Sequence, residues 1–404
     1  MVHKARRTLL LLGPAFVAAV AYVDPGNFAA NFSAGSQYGY ALLWVLVVAN
    51  SMAMMVQYLS AKVGLVTGLS LPEVVATKLG RKSRIAYWLQ AELVAIATDL
   101  AEVIGGAIAL SILFHLPLLL GAVITGAVSL ALLLLYNRRG QKIFERVIVG
   151  LLLIIPIGFI TGLFVHPPDS GEVLAGLVPQ LRNGEMVMLA AAMLGATVMP
   201  HVVYLHSALA RDRHGKKQLA ELRALLRTTK IDVGIAMVVA GAANISMLLL
   251  AAAALQHSPA TDTLEGIFAA LGTQVSPLVA TLFGISLLVS GFASTAVGGH
   301  AGAVIMEGLL HYRISLWWRR IITIIPAIVI VAIGVNPTQA LLLSQVVLSF
   351  GIPFALVPLL LATNSRKIMG NHNNTPVITV ALGCITAIVI ALNIALIWFS
   401  IAGL

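Results

Sequence analysis

Apolar runs of about twenty residues or more follow one another along the whole chain, separated by short stretches that hold nearly all of its charge. Eleven such runs stand out, at 8–33, 38–62, 85–114, 117–136, 143–165, 185–210, 229–255, 273–311, 318–334, 338–361 and 376–402. A helix needs about 20 apolar residues to cross the hydrocarbon of a bilayer. The strands of an outer-membrane barrel are about ten residues long and alternate in polarity, whereas Leu118 to Leu135 is apolar on all sides. The pattern therefore predicts an all-α integral membrane protein with eleven transmembrane helices. Ala19-Val20-Ala21 imitates a signal-peptidase site, but the apolar run continues past it. The first run is expected to remain as a span.

Composition sharpens this picture. Of 404 residues, 59% are hydrophobic and 10% charged, against roughly 25% charged in a soluble domain. A chain of this kind cannot cover itself with polar surface, which excludes a soluble enzyme, a coiled coil, a disordered chain and a disulfide scaffold. Cys384, the single cysteine, has no partner for an intramolecular bridge. The net charge of +10 would suit nucleic acid if the cations shared one solvated face; they lie instead in short loops between apolar runs. The partner implied is the lipid bilayer, with neither nucleic acid nor an obligate protein. If the amino terminus is cytoplasmic, 24 of the 25 Lys and Arg residues fall on the cytoplasmic side, with Arg182 alone outside. Cytoplasmic loops are enriched in cations, so the expected topology has the amino terminus inside and the carboxyl terminus outside a cell (inner) membrane. Residues 1–404 read as a single transmembrane domain.

Two runs are interrupted at matching places. The first contains Asp24-Pro25-Gly26-Asn27, the sixth Gly195-Ala196-Thr197-Val198-Met199-Pro200-His201. Proline has no N–H and its ring clashes with the carbonyl four residues earlier. Pro25 therefore releases the carbonyl of Ala21, and Pro200 that of Ala196. In hydrocarbon a freed carbonyl costs several kcal/mol unless it lines a polar cavity or meets a ligand. Either each proline only kinks a packing helix, or both helices are discontinuous and face one site. Pro25 and Pro200 are 175 residues and five spans apart, so the second motif crosses the membrane in the opposite direction. Secondary transporters are often built in this way, from inverted five-helix repeats whose broken helices meet near the midplane. The repeats would be 8–165 and 185–361, with 376–402 an additional helix.

The donors at the breaks indicate a cargo. Asp24 is ionisable and deep in a span, a position that marks an ion or proton path. Around it are the Asn27 amide oxygen, the two released carbonyls and the Met199 thioether. Oxygen donors alone would suit Ca²⁺ or Mg²⁺, to which a thioether offers little. Mixed oxygen and sulfur ligation points to a divalent transition metal, with Mn²⁺ and Fe²⁺ foremost because they accept a site with few strong nitrogen or thiolate ligands. Met199 could otherwise be core filler, the commoner role of methionine; its place directly before the break sets it apart.

His201 and His206 follow Pro200. Five residues apart, they diverge by about 140° on a helix and cannot chelate one ion together. Each is either a hydrogen-bonding or proton-handling group or a satisfied interior histidine. In the third run Glu92, Asp99 and Glu102 lie within about 80° on one face, beside Gly105 and Gly106, where another helix can approach closely. Arg319 and Arg320 are candidate partners from the cytoplasmic side. A static ion-pair network and a proton route or gate latch are both open. Asp232 and Glu307 lie near cytoplasmic ends, within reach of water by snorkelling.

Asp-Pro-Gly-Asn at 24–27, Ala-Thr-Asp-Leu-Ala-Glu at 97–102, Gly-Ala-Thr-Val-Met-Pro-His at 195–201 and Ser-Gln-Val-Val-Leu-Ser-Phe-Gly-Ile-Pro at 344–353 resemble the NRAMP family of divalent-metal transporters, and bacterial proton-dependent manganese carriers above all. The resemblance runs nearly end to end. It implies a LeuT-like 5+5 inverted repeat with discontinuous helices 1 and 6, and import of Mn²⁺ or Fe²⁺ by proton symport without a prosthetic group. It implies as metal ligands Asp24, Asn27, Met199 and the carbonyls of Ala21 and Ala196, with Gln345 in one facing state. It places His201, Asp99, Glu102, Arg319 and Arg320 along a proton and gating network. The short loop between the seventh and eighth runs favours a prokaryotic cell membrane. A sodium- or proton-coupled carrier of small organic solutes, or a cation channel, are the rival functions. An enzyme is disfavoured, since neither a His-Glu-x-x-His helix nor a Gly-x-Ser-x-Gly turn occurs.

Overall fold

In the computed structural model the described residues are 13–215, 219–256, 258, 261–312 and 314–402. Lys4, Arg6, Arg7, Lys216, Lys217, His257 and Arg313 lie outside them, as does the start of the first run. Regular structure among the described residues is helical throughout. Span one is two helices, Pro14–Ala21 and Pro25–Tyr38, and span six is Gly184–Thr197 and Pro200–His214. The other spans are two, Leu43–Thr67; three, Arg81–Phe114; four, Leu118–Arg139; five, Gln141–Val165; seven, Leu219–Ala254; eight, Pro277–Leu310; nine, Leu316–Ala332; ten, Pro337–Asn364; and eleven, Pro376–Ala402. Nine helical stretches among the described residues, span six taken whole, are long and apolar enough to cross a membrane. The two remaining predicted spans are the broken first one and span nine, which has 17 residues.

Where boundaries differ from expectation, local packing is the reason. Span one continues past 33 to Tyr38 despite Ser33, Ser36 and Gln37, because Ala30 and Ala34 bury themselves against Leu43, Met186 and Leu248. It stops at Gly39, whose φ of 59° favours glycine. Span two therefore begins at Leu43 rather than 38. Span eight begins at Pro277, preceded by a separate helix, Leu264–Gln274, whose Thr263 hydroxyl accepts from Gly266 N at 3.0 Å. Asp232 does not snorkel: its carboxylate accepts from Gly13 N and Ala15 N at 3.4 and 3.3 Å. It thereby caps the first half of span one, where the helix dipole favours an anion.

Spans one, two, six and seven pack on one another as one group, and spans three, four, eight and nine as a second. The halves of the broken spans pair crosswise. Gly184–Thr197 packs on Pro25–Tyr38, while Pro200–His214 packs on Pro14–Ala21. This is what two antiparallel rods broken at equivalent points produce: the two gaps lie side by side. Span three closes on the gap through Gly105, where a Cβ would run into the Pro25 ring; at Gly106 a Cβ would run into Thr125 of span four, and a Cβ on Gly291 of span eight would run into the Gly106 backbone. The close approach expected at Gly105 and Gly106 is thus made, by spans one, four and eight.

Gly105→Val is expected to destabilise the protein by about 1–3 kcal/mol through overpacking against Pro25. Gly150→Ala, where a Cβ meets nothing within 4 Å, serves as the neutral control. Thermal unfolding of the detergent-purified proteins measures both.

Candidate functional site

The Asp24-Pro25-Gly26-Asn27 segment folds as a helix start. Asp24 is the N-cap residue in extended conformation, with φ −73° and ψ 169°, and its carboxylate accepts from Asn27 N at 2.8 Å. Pro25 occupies the first helical position, where no N–H is required. Span six repeats the arrangement with different chemistry. Pro200 again opens the second half, and Met199 is the N-cap residue, making no cap bond. A methionine where Ser, Thr, Asp or Asn is preferred forgoes local stability at the position equivalent to Asp24.

The polar atoms of both breaks converge. Asn27 Nδ2 donates to Asp24 Oδ1 at 2.7 Å and to the Ala196 carbonyl at 3.1 Å. Gln345 Nε2, from span ten, lies 3.4 Å from Asp24 Oδ2. Gly26 makes this approach feasible, because a Cβ there would occupy the place of the Gln345 amide. Met199 is in the same buried cluster as Ala21, Tyr22 and Val23. Ala21, Asp24, Asn27, Ala196, Met199 and Gln345 are all fully buried. Two oxygens, Asn27 Oδ1 and Gln345 Oε1, have no hydrogen-bond partner. A carboxylate, two orphaned amide oxygens and released carbonyls form a donor set for a cation. Among the described residues no group of three or more His, Cys, Asp or Glu side chains could hold a metal, so any cation here meets few strong ligands.

Polar residues that the sequence pattern did not single out complete the gap. Asn244 Nδ2 of span seven donates to the Tyr22 carbonyl at 2.7 Å, and the Ser290 hydroxyl of span eight donates to the Val23 carbonyl. Asn31 Nδ2 donates to Asn244 Oδ1 at 2.9 Å. Their signal was present in the sequence: an Asn in an apolar span, and serines at 286, 290 and 294 spaced four apart on span eight.

His201 and His206 reach separate partners, as their angular separation required. His201 Nδ1 is 3.3 Å from Thr98 Oγ1, whereas His206 Nδ1 is 2.8 Å from Gln57 Oε1. Gln57 Nε2 in turn donates to the Tyr22 hydroxyl. Arg320 pairs with Asp99 at 2.6 Å and Arg319 with Glu92 at 2.9 Å. Glu102 is fully buried, and neither of its oxygens has a hydrogen-bond partner. The arginines thus meet two of the three carboxylates of span three. Phe28 and Phe32 of span one meet Phe159 and Phe283 at 5.1 to 5.9 Å on one side of the gap, three of the four pairs edge-to-face and Phe32–Phe159 tilted. On the other side Tyr204 of span six donates to the Phe354 carbonyl at 2.9 Å and meets Tyr87 OH at 2.7 Å.

The chain matches the family model described as natural resistance-associated macrophage protein-like over residues 15–399. It is 55% identical to a protein of Mycobacterium tuberculosis named divalent metal cation transporter MntH, over 97% of this chain and 92% of that one. The crystal structure of the Eremococcus coleocola manganese transporter in complex with an aromatic bis-isothiourea substituted compound superimposes with a TM-score of 0.87 at 33% identity, covering 98% of this chain and 87% of that one. The fold alone extends to Mhp1, a nucleobase-cation-symport-1 family transporter, with a TM-score of 0.61 at 16% identity over 97% of this chain and 93% of that one.

Breaking the buried Asp99–Arg320 pair leaves an uncompensated charge, so Asp99→Ala is expected to cost about 3–5 kcal/mol of stability. Glu92→Ala should cost less, since Glu92 keeps 15% of its side chain exposed. Parallel unfolding of the two variants checks the order; equal losses would mean that burial does not set the worth of these pairs.

Proposed function

The chain belongs to the Nramp family, and from that premise we propose that it imports Mn²⁺ or Fe²⁺ together with protons. It is a multi-pass membrane transporter of divalent metal and not an enzyme. The observation that carries the reading is that Asn27 bridges Asp24 and the Ala196 carbonyl while Gln345 approaches Asp24, with the Asn27 and Gln345 amide oxygens left unpartnered in a fully buried site.

Asp24, Asn27, Met199 and the carbonyls of Ala21 and Ala196 are the proposed ligands, with Gln345 joining in one facing state. Carbonyl, amide and carboxylate oxygens satisfy a divalent cation that has shed most of its water. The Met199 thioether is soft and favours transition metals over Ca²⁺ and Mg²⁺. No strong nitrogen or thiolate ligand is in the set, so the ion binds firmly enough to enter and weakly enough to leave. No prosthetic group is involved; metal and protons are the cargo.

The proposed cycle is alternating access, in which the group holding the broken helices rocks against spans three, four, eight and nine. Asp24 must be deprotonated to bind metal, so metal and proton compete there. His201, His206, Asp99, Glu102, Arg319 and Arg320 form the proposed proton and gating network. The repeats are assigned to 8–165 and 185–361, with 376–402 outside them. The cation count supports a cytoplasmic amino terminus and an extracytoplasmic carboxyl terminus in a bacterial cell membrane.

Vesicles containing the purified protein should accumulate Mn²⁺ faster under an inward acid gradient, and uptake that ignores the gradient would refute symport. Asp24→Ala is expected to abolish Mn²⁺ uptake. Met199→Ala should lose discrimination against Ca²⁺ and Mg²⁺ more than it loses Mn²⁺ binding; discrimination equal to wild type would remove the thioether from the ligand set.

A further inference from the structure

The break in span one frees more carbonyls than a single cation site needs. Pro25 has no N–H for Ala21, and the Asn27 N–H, which a continuous helix would give to Val23, goes to the Asp24 carboxylate instead. The carbonyls of Ala21, Tyr22 and Val23 are therefore all deprived of helical partners at one turn of buried backbone. Two of them are taken by side chains from outside the span. Asn244 donates to Tyr22, itself held by Asn31, and Ser290 donates to Val23. Ser290 is fully buried on span eight, in the group of helices opposite the one that carries the break.

We propose that Ser290 is a positioning residue for selectivity: by holding the Val23 carbonyl it keeps that oxygen out of the cation site, so that Ala21 alone supplies a carbonyl from span one. An additional carbonyl swinging inward would raise the number of hard oxygen donors. Ca²⁺ takes six to eight oxygens in flexible geometry and gains from each, whereas the preference for a transition metal rests on a small set that keeps the thioether. Ser290 thus acts through backbone rather than on the ion. The inference rests on the ligand set proposed above and adds a reason why that set stays small.

The test compares Ser290→Ala, Ser290→Thr and Ser290→Val in reconstituted vesicles, with Asp24→Ala alongside. Thr and Val have nearly the same shape, but only Thr retains the hydroxyl. In Ser290→Ala and Ser290→Val the loss of one hydrogen bond should raise the Mn²⁺ KM about three- to tenfold and strengthen Ca²⁺ competition by a similar factor. Maximal uptake should change less, and Ser290→Thr should keep wild-type selectivity. Calorimetric titration of the detergent-purified variants with Mn²⁺ and then Ca²⁺ reads the same ratio without transport. A merely structural serine would lower melting temperature while leaving the Ca²⁺-to-Mn²⁺ ratio unchanged, and that result overturns the inference, as does a Thr variant indistinguishable from Val. If Asp24→Ala still binds and transports Mn²⁺, the ligand set itself fails; if Asp24→Ala is inactive and Ser290→Ala is selective, only the role of Ser290 falls.

Discussion

Hydrocarbon cannot hydrogen-bond a peptide group, and every other feature of the site follows from that constraint. A continuous helix meets it by pairing each carbonyl with the N–H four residues on. Pro25 and Pro200 withdraw one N–H each, at points where two oppositely directed rods lie against each other. The freed groups must then find partners among themselves, in neighbouring spans or in a ligand. Asn27 reaches across to Ala196, Asn244 reaches Tyr22 and Ser290 reaches Val23. The site is what is left after these demands have been met.

That origin accounts for the character of the donors. A site assembled from backbone carbonyls and neutral amides around one carboxylate differs from the clustered imidazoles and thiolates of a storage or structural metal centre, which bind divalent metals tightly. A transporter has to release its cargo on the far side in every cycle. In the proposed site the single carboxylate would supply charge for entry, and the neutral donors would supply coordination without holding the ion in place. As a proposed ligand, Met199 would add selection at small cost in affinity, since a thioether carries no charge to desolvate.

Much of this was legible along the chain. Long apolar runs fixed the number of spans, because about twenty residues must cross the hydrocarbon whatever the tertiary fold. The register of Pro25 with Pro200 exposed the site, because proline acts on backbone hydrogen bonds that need no knowledge of neighbours. Helix ends were less legible: Ser33, Ser36 and Gln37 look like a terminus, yet they lie in a helix held by Ala30 and Ala34 against span six. Asn244 and Ser290 escaped notice for a related reason. A lone polar residue in an apolar span announces that it has a partner, but the partner is a carbonyl more than two hundred residues away, and only the packing brings the two together. Asp232 illustrates the same limit. Its position suggested a side chain reaching for water, while its actual task is to cap a helix start across the fold.

The strengths of the polar contacts are distributed in a way that bears on motion. Within the group of spans three, four, eight and nine, full ion pairs join span three to span nine, Asp99 to Arg320 and Glu92 to Arg319. Buried charges released from such pairs would be expensive to leave unpaired, so spans three and nine are held together. Contacts from this group and span ten to the broken helices are of another kind. Thr98 meets His201 at 3.3 Å, Gln345 meets Asp24 at 3.4 Å, and Ser290 and Phe354 engage a backbone carbonyl and a tyrosine hydroxyl respectively. Most are single hydrogen bonds between neutral groups, each worth about 0.5–1.5 kcal/mol net, and where Asp24 is a partner the contact is long. Under the proposed alternating access, these single contacts are the ones that would have to change where the broken helices meet spans three, eight and ten. A cation entering among Asp24, Asn27 and Gln345 would exchange those boundary contacts for its own, so binding and movement draw on the same few bonds.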